Sequence, residues 1–398
     1  MHILCLLLFC FVAAVTGVSA GSPQQQQTAT PPILIVGTFT RDEGWVNGTG
    51  KGIYTYKLNT TTGSLTPWKV TPYGVNPIYV QGSTKVFNTG KRVIYVVNSV
   101  DDVNLGKPGS KTGYVSAFTL SSDGSLKLLK ARRTYGGLPT HISVSPSQNY
   151  VVVSNYAGSI AMFPINADGS LAEKTFYQEF SKGSNVVKDR QAEGHIHSST
   201  WLPNSKHVVV ANLGSDELLQ YKLDEKKQTL KSLRTVKRLP GSGPRHMVCS
   251  INMAYVVDEL SNTVGVYPID KNAAVLSTKA LQEITTLPSS FTNASTSADI
   301  HLSSNGKFLY TSNRGHDSIA MFKINCDGTL TSLGWESTRG KFPRGFVVYE
   351  DLLIVANQNS NDMFVFKIDS NTGLLSFTGN SYKIGTAVCL YVMEYLES

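Results

Sequence analysis

Two arginines, one glutamate and a set of histidines carry most of the chemistry that this 398-residue chain offers. The guanidinium groups of Arg245 and Arg314 are of the type that polarises a carbonyl oxygen or binds an anionic group through paired N–H donors. Glu259 and His197 are of the types that take a proton from water as a general base. Brought together, these four groups would activate water, stabilise an oxyanion and anchor an anionic ligand.

No short motif joins these four residues, so the fold must bring them together, and an internal repeat indicates how. Residues 141–171 read HISVSPSQNYVVVSNYAGSIAMFPINADGSL, and residues 301–330 read HLSSNGKFLYTSNRGHDSIAMFKINCDGTL. A related segment begins at His197. A degenerate unit that recurs every ~45–55 residues and contains several short β-runs is typical of a propeller.

Each repeat joins a compact apolar run to an alternating run, which is the pattern of two adjacent β-strands. The compact runs lie at 33–36, 93–97, 150–153, 208–211, 254–257, 308–310 and 352–356. The alternating runs lie at 53–56, 114–118, 160–163, 218–221, 264–267, 319–322 and 364–366. Asp-Gly pairs at 123–124, 168–169 and 327–328, and Thr-Gly at 372–373, predict hairpin turns. No stretch has a sustained helical period.

The count of units predicts an all-β fold, a single seven-bladed propeller over residues 33–398, with six or eight blades as the alternative counts. The first unit lacks a leading strand, because its first run at residue 33 directly follows a polar segment. The apolar run at 388–393 has no partner unit after it. Both irregularities are explained if the C-terminal strand completes the first blade and closes the ring.

A closed ring would place the start of each first strand and the end of each antiparallel second strand on one face. The segments that enter first strands contain His141, His195, His197, Arg245, His246, His301 and Arg344. The segments that leave second strands contain Asn98, Asn155, Asn212, Glu259, Asn313, Arg314 and Asn357. Buried charges near an axis are costly unless paired and often mark function. The asparagines and some histidines equally fit a role as turn caps or links between blades.

Four of these segments resemble the lactonase family of seven-bladed propellers, which includes bacterial-type 6-phosphogluconolactonase and the fungal 3-carboxy-cis,cis-muconate lactonizing enzyme. They are 243–246 (GPRH), 258–264 (DELSNTV), 312–319 (SNRGHDSI) and 356–358 (ANQ). The resemblance extends from Leu34 to Leu390. It implies His197, Arg245, Glu259 and Arg314 as catalytic residues. The entry and exit segments add candidate substrate-binding residues, namely His141, His195, His246, His301, Asn313 and Arg344.

By this resemblance, the expected activity is hydrolysis of a sugar or sugar-acid lactone in the channel mouth, with a small anionic substrate and no cofactor. The same groups would also serve a cycloisomerase of the muconate-lactonizing type, which moves a proton next to a carboxylate. A non-catalytic secreted propeller that binds a ligand at the same mouth is a further alternative. A metal-dependent lactonase is disfavoured, because Ca²⁺ takes several carboxylate oxygens and the predicted mouth has more cationic groups.

The net charge of +8 is spread along the chain. No basic run is interleaved with aromatic residues, so the sequence does not predict nucleic-acid binding. No apolar stretch reaches the ~18–20 residues of a membrane-spanning helix. We therefore expect a monomer that binds neither nucleic acid nor membrane.

The first 20 residues have the pattern of a secretory signal peptide, with an apolar core at 3–15 and small residues before Gly21. Residues 21–32 are Gln-rich and predict a disordered spacer. Sequons at Asn47, Asn59 and Asn293 would be glycosylated on an exported eukaryotic chain. The predicted mature chain keeps Cys249, Cys326 and Cys389, so one disulfide is possible and one thiol must remain free.

Overall fold

Short apolar runs bounded by turn residues form 29 β-strands in the computed structural model, which describes residues 30–101, 112–270 and 272–394. The first blade takes β1 (Ile33–Thr38), β2 (Ile53–Leu58) and β3 (Leu65–Thr71). The second takes β4 (Pro77–Gly82), β5 (Val93–Asn98), β6 (Tyr114–Leu120) and β7 (Leu126–Arg133). The third takes β8 (Pro139–Val144), β9 (Tyr150–Asn155), β10 (Ser159–Pro164) and β11 (Phe176–Glu179). The fourth takes β12 (Ile196–Trp201), β13 (His207–Asn212), β14 (Glu217–Asp224) and β15 (Thr229–Lys237).

The remaining strands complete three further blades and close the ring. The fifth blade takes β16 (Pro244–Cys249), β17 (Met253–Asp258), β18 (Thr263–Asp270), β19 (Val275–Leu276) and β20 (Gln282–Thr285). The sixth takes β21 (Thr296–Leu302), β22 (Phe308–Arg314), β23 (Ser318–Ile324) and β24 (Leu330–Ser337). The seventh takes β25 (Pro343–Tyr349), β26 (Leu352–Asn357), β27 (Asp362–Ile368) and β28 (Leu375–Lys383). The last strand is β29 (Ala387–Met393).

The C-terminal strand is the innermost strand of the first blade. The strand order in that sheet is β29-β1-β2-β3, and Ile33 pairs with Met393 and Val36 with Leu390. In the other six blades, the first strand in sequence is innermost. The inner strands contact one another in the cyclic order β29, β4, β8, β12, β16, β21, β25. The predicted seven-bladed propeller and its closure by the C-terminal strand are thus confirmed.

The hydrophobic core is divided into layers between neighbouring blades. One such layer packs Val97 and Val115 of the second blade together with Val151 and Val153 of the third. Because the second strand of each blade is covered on both faces, its side chains are buried at nearly every position. This burial explains why those strands read as continuous apolar runs, whereas the outer strands alternate or are polar.

Hydrogen bonds from tyrosines to the predicted hairpin turns join neighbouring blades. The hydroxyl of Tyr95 donates to the carbonyl of Gly169 at 2.9 Å, and Tyr255 and Tyr310 each make the same bond to the blade that follows their own. Gly169 has a φ of 84°, and a Cβ there would collide with the side chain of Val93. The turn therefore needs glycine both for its backbone conformation and for its close contact with the neighbouring blade.

A four-residue helix, α1 (Lys188–Gln191), is an element that the sequence did not predict, because it is too short for a helical period. Cys249, Cys326 and Cys389 are free thiols. No helix within the described residues has the length and apolarity to cross a membrane. The predicted signal peptide and most of the predicted spacer lie outside the described residues, so those two interpretations remain predictions.

Candidate active site

Every inner strand has a β-bulge close to its start, and the bulges form a ring around the axis. In β12, for example, Ile196 pairs with Asn212 and Ser198 with Ala211, which leaves His197 as the extra residue. The extra residues are Ile78, Thr140, His197, Arg245, Arg344 and Val388, with the pair Ala298–Asp299 in β21. A bulge redirects a side chain. Here a bulge residue of every blade lines the central channel.

The channel contains two adjoining chambers. The upper chamber, about 780 Å³, lies at the predicted mouth, where residues such as Tyr156, Glu259 and Gln358 follow the ends of second strands. The lower chamber, about 290 Å³, extends along the inner strands of the first, second and seventh blades. Thr140, His197 and Arg344 line both chambers and so form their boundary. The upper chamber is large enough for a small molecule.

Glu259 lies at the centre of a cluster of guanidinium groups. Its Oε2 accepts a hydrogen bond from Nε of Arg245 at 2.9 Å and lies 3.0 Å from Nη2 of Arg314. Its Oε1 accepts a hydrogen bond from Arg190 of α1. Burial acts to raise the pKa of Glu259, but the Arg314, Arg245 and Arg190 charges outweigh it and hold the pKa well below its usual range. Glu259 is therefore a permanent carboxylate at neutral pH.

Arg344 is the arginine of the site that lacks a carboxylate partner within the described residues. Its guanidinium lies 5.5 Å from the ring centres of both Phe39 and Trp45, and its Nη1 donates to Oε1 of Gln358 at 3.3 Å. Burial lowers its pKa to about 9, and the Arg245 and Arg314 charges lower it in the same direction. Arg344 still carries its charge at pH 7, at an electrostatic cost that an anion in the chamber would relieve.

The charges that line the two chambers do not balance. Arg190, Arg245, Arg314 and Arg344 face only two carboxylates, Glu259 and Asp299. Even with every imidazole neutral, the described lining has a surplus of two positive charges. Burial also lowers the pKa of Arg245 to about 10, with the Arg314 charge acting in the same direction. A buried site with unneutralised guanidinium groups is arranged to bind an anion.

His197 is a neutral imidazole at the boundary of the chambers. It is 3% exposed, and its Nδ1 has no hydrogen-bond partner within the described residues. Burial holds the pKa of His197 well below its usual range, and the Arg245 and His246 charges lower it further. Its ring packs edge-on against Tyr156 and His246, at centroid distances of 5.8 and 5.1 Å. Because Nδ1 is sealed from solvent, the other ring nitrogen, Nε2, is the one that could accept a proton from a bound water.

The other predicted histidines differ in whether they line a chamber. His141 and His246 pack with Tyr79 below His197, with ring centroids 5.4 Å apart between the two histidines. His246 and His301 line the lower chamber and both hydrogen-bond to Asp299. His195 stacks on Tyr156 at 4.4 Å, and its Nδ1 lies 3.0 Å from the Tyr156 carbonyl oxygen. His141 and His195 are therefore not part of the described lining of either chamber, but both pack against residues that line one.

Asn313 differs from its predicted position, because its side chain lies inside the sixth blade and lines neither chamber. Its Nδ2 donates to the carbonyl of Thr286 at 2.8 Å, and its Oδ1 accepts from Ser297 at 3.0 Å. Asn155 and Asn357 donate in the same way to the carbonyls of Thr134 and Thr338. Each of these asparagines thus holds the connection that leads into its own blade. This is the structural role in turns that the sequence analysis gave as the alternative for them.

Two residues of the site were missed by the sequence reasoning. Arg190 lies in the long connection between the third and fourth blades, where no strand pattern gave its position. Asp299 lies two residues before the predicted His301, and its alignment with Thr140, His197 and Arg245 in the repeat is the signal that could have identified it. No group of three or more His, Cys, Asp or Glu side chains in the described part of the chain is arranged to bind a metal.

All three sequon asparagines are exposed, as an acceptor for a glycan must be. Asn293 directly precedes Ala294–Thr296, which line the upper chamber, and Asn47 lies two residues after Trp45 of the same chamber. Asn59 lies in the turn between β2 and β3. Two of the three candidate glycan positions therefore border the mouth.

Comparison with known proteins gives one consistent result. The family model "Lactonase, 7-bladed beta-propeller" matches residues 33–392. The 6-phosphogluconolactonase of Bacillus subtilis is 31% identical over 368 residues, covering 91% of this chain and 98% of that protein. A 6-phosphogluconolactonase of Formosa agariphila is 32% identical over 374 residues, covering 91% and 99%. The structure of a periplasmic gluconolactonase of Pseudomonas aeruginosa superposes with a TM-score of 0.80 at 29% identity, covering 91% of this chain and 99% of that one.

Proposed function

The chain belongs to the lactonase family of seven-bladed β-propellers, and from this premise we propose that it hydrolyses a small anionic lactone in the upper chamber. The substrate is a sugar or sugar-acid lactone that carries a phosphate or a carboxylate. The relatives named 6-phosphogluconolactonase support a lactone as the substrate. The negative charge is inferred from the site itself.

The observation that carries the proposal is the surplus of guanidinium groups around the upper chamber. Glu259 neutralises part of the charge of Arg190, Arg245 and Arg314, and no described carboxylate pairs with Arg344. A neutral sugar lactone would leave these charges uncompensated in a largely buried site. A phosphate or carboxylate would accept charge-assisted hydrogen bonds from Arg344, each contributing about 1.5–3 kcal/mol.

Hydrolysis requires a base, and His197 fits this role better than Glu259. Glu259 is held as a carboxylate by three guanidinium groups and has little affinity for a proton. His197 carries no ion pair within the described residues, and its ring lines both chambers at their boundary, where a water and the lactone carbonyl can meet it. We assign His197 as the group that takes a proton from water as the water oxygen attacks the lactone carbonyl. Glu259 then acts as the residue that positions the arginines.

The reacting carbonyl lies beside His197, at the boundary of the upper chamber with the lower one. There Arg314 of the upper chamber and Arg245 of the lower chamber stabilise the negative charge that develops on the carbonyl oxygen in the tetrahedral intermediate. When the intermediate collapses, the bond from the carbonyl carbon to the ring oxygen breaks. The ring oxygen takes up the proton held by His197, which restores the neutral imidazole. The product is a hydroxy acid, whose new carboxyl group loses its proton to solvent.

The test is a pH-stat assay of the purified protein against three lactones: 6-phosphogluconolactone, unphosphorylated gluconolactone and a muconate-derived carboxylactone. Hydrolysis of an anionic lactone in preference to the neutral one supports the proposal. Interconversion of the muconate lactone with its open diene acid would instead identify a cycloisomerase. Binding of the lactones without turnover would favour the non-catalytic alternative.

We also propose that the protein is exported as a monomer, with residues 1–20 removed and 33–398 forming the propeller. The support is the apolar leader pattern and the exposure of all three sequons. Expression of the full chain in a secreting eukaryotic host, followed by N-terminal sequencing and size-exclusion chromatography, tests each part. An intact Met1 on intracellular protein would contradict the export.

A further inference from the structure

We propose that Asp299 is a positioning residue that acts through His246 to orient the guanidinium of Arg245 for the hydrolysis proposed above. Asp299 lies in the β-bulge of β21. Ala298 and Asp299 are the two extra residues of this bulge, between two positions of β21 that pair with β22. Its carboxylate is largely buried beside the lower chamber.

The hydrogen bonds of His246 fix which of its nitrogens carries the proton. Nδ1 of His246 lies 2.8 Å from Oδ1 of Asp299. An ionised carboxylate only accepts, so Nδ1 must be the donor and, in the neutral ring, Nε2 must be an acceptor. Nη1 of Arg245 lies 3.3 Å from this Nε2 and donates to it. Asp299 thereby selects the tautomer of His246 that can bind Arg245.

The result is that three acceptors hold the guanidinium of Arg245. Its Nε donates to Glu259 at 2.9 Å, and its Nη1 donates to the carbonyl of Ala298 at 2.7 Å as well as to His246. Two of the three contacts thus depend on the same bulge of β21. In the described residues, Nη2 of Arg245 makes no hydrogen bond, so it is the group left to meet a substrate oxygen.

Other groups around His246 and Asp299 favour this protonation pattern. The rings of His141, His197 and Tyr79 pack around His246. Burial, followed by the Arg245 charge, lowers the pKa of His246 to about 4, so the ring is neutral at physiological pH. Asp299 Oδ2 also accepts from His301 at 3.2 Å and from the Phe346 amide at 3.3 Å, which fixes the carboxylate against the seventh blade.

The first test reads the tautomer directly and does not depend on any activity. Long-range ¹H–¹⁵N NMR of protein labelled at histidine should show His246 as a neutral ring protonated at Nδ1 from pH 5.5 to 8. The Asp299→Ala variant should lose this single-tautomer signature. A wild-type His246 that is protonated at Nε2, or doubly protonated in this range, would overturn the proposal whatever lactone the protein hydrolyses.

The second test is a kinetic double-mutant cycle with the lactone that the wild type hydrolyses best. Asp299→Ala should lower kcat by about 10- to 100-fold, because a misplaced guanidinium misses the transition state. KM should stay within about threefold, since Arg245 is assigned to the transition state rather than to substrate binding. Asp299→Asn, whose carbonyl can still accept from Nδ1, should retain more activity and serves if the alanine variant does not fold.

In an Arg245→Ala background, Asp299→Ala should cause almost no further loss, because both changes remove the same interaction. If the kcat losses of the two single variants multiply in the double variant, Asp299 acts elsewhere, and the positioning role is overturned. If the wild type hydrolyses no lactone, the proposed function fails, and the NMR experiment still decides the role of Asp299.

Discussion

Asp258 is the last residue of β17 and Glu259 directly follows it, yet they belong to two buried ion clusters with opposite charge balance. Asp258 forms an ion pair with Arg238, and both side chains are almost completely inaccessible to solvent. Arg238 also pairs with Glu283 and donates to the Tyr267 hydroxyl at 2.6 Å. One guanidinium group thus faces two carboxylates, and every donor nitrogen of Arg238 has a partner.

The cluster of Glu259 has the reverse balance. Three guanidinium groups, those of Arg190, Arg245 and Arg314, share this one carboxylate, and Arg344 lies close enough to be affected by the same charges. Arg190, Arg314 and Arg344 line the upper chamber, and Arg245 lines the lower one, so the groups face open space instead of packed side chains. Burial of charge is therefore common to both clusters, and only the unbalanced one is arranged to take up a charged ligand.

The comparison also explains why the fifth blade differs from its neighbours. In the third, sixth and seventh blades an asparagine at the end of the second strand donates to the connection that enters the blade. Asp258 occupies the equivalent position in the fifth blade and pairs with Arg238 of the entering connection. The ion pair thus replaces a neutral structural contact, and no ligand is needed to account for it.

The largest expected effect on activity is that of removing Arg245. Arg245→Ala should lower kcat by about 10²–10³-fold, as loss of an oxyanion-stabilising donor does. Thermal unfolding should change little, because Glu259 keeps its contacts with Arg190 and Arg314. A variant that folds normally and keeps more than a third of the wild-type kcat would show that Arg245 does not act on the reacting carbonyl.

Removing Arg238 should have the opposite outcome. Arg238→Met leaves Asp258 buried without its cationic partner, so the free energy of unfolding should fall by about 3–5 kcal/mol. The kcat of the molecules that remain folded should stay within about threefold of wild type, because Arg238 lines neither chamber. Denaturant titration and a low-temperature assay measure the two quantities. A large loss of kcat at unchanged stability would contradict the division into structural and functional clusters.

Replacing Arg344 should have a smaller effect, and it tests the same distinction between structural and functional charge clusters. Arg344→Met removes a charge that no described carboxylate compensates, so the variant should be more stable by about 0.5–2 kcal/mol. The methionine keeps contact with Phe39 and Trp45 through its apolar chain. Differential scanning calorimetry without ligand measures the change. A clear loss of stability would mean that Arg344 is held by interactions other than those described.

The smallest effect concerns pH. A lowered pKa means that His197 keeps its neutral, proton-accepting form as the pH falls below the ordinary histidine range. The kcat at saturating substrate should therefore be within about twofold at pH 5.5 and pH 7. A half-maximal kcat at pH 6.5 or above would indicate a solvent-exposed histidine base. His197→Asn should lower kcat by about 10²-fold at both pH values, as loss of a general base does.

The number of blades and the closure of the ring were predictable from sequence because they follow from repeated local patterns. Buried second strands such as β5 and β9 read as apolar runs, and hairpin turns such as Asp168-Gly169 are marked by their own residues. The unpaired apolar run near the C-terminus could then fit a closed ring only as the missing strand of the first blade. Local patterns of this kind survive in a single sequence.

The details of the site were less predictable, because they depend on contacts between blades. His197, Arg245 and Arg344 could be placed near one mouth, but the β-bulges that direct them into the channel have no sequence signature of their own. Arg190 reaches Glu259 from a connection without strand pattern. Asn313 and Arg314 are neighbours in one exit segment, so both were predicted to face the channel. The pairing of β21 with β22 directs their side chains to different sides of the strand.

The central claim is that the uncompensated guanidinium charge at the mouth selects an anionic lactone, and one ratio tests it most directly. We would measure kcat/KM for 6-phosphogluconolactone and for unphosphorylated gluconolactone, in the wild type and in Arg344→Met. The wild type should prefer the phosphorylated lactone by at least about 10- to 100-fold, and the variant should lose most of that preference. Equal rates for the two lactones in the wild type, or a preference that Arg344→Met leaves unchanged, would contradict the account.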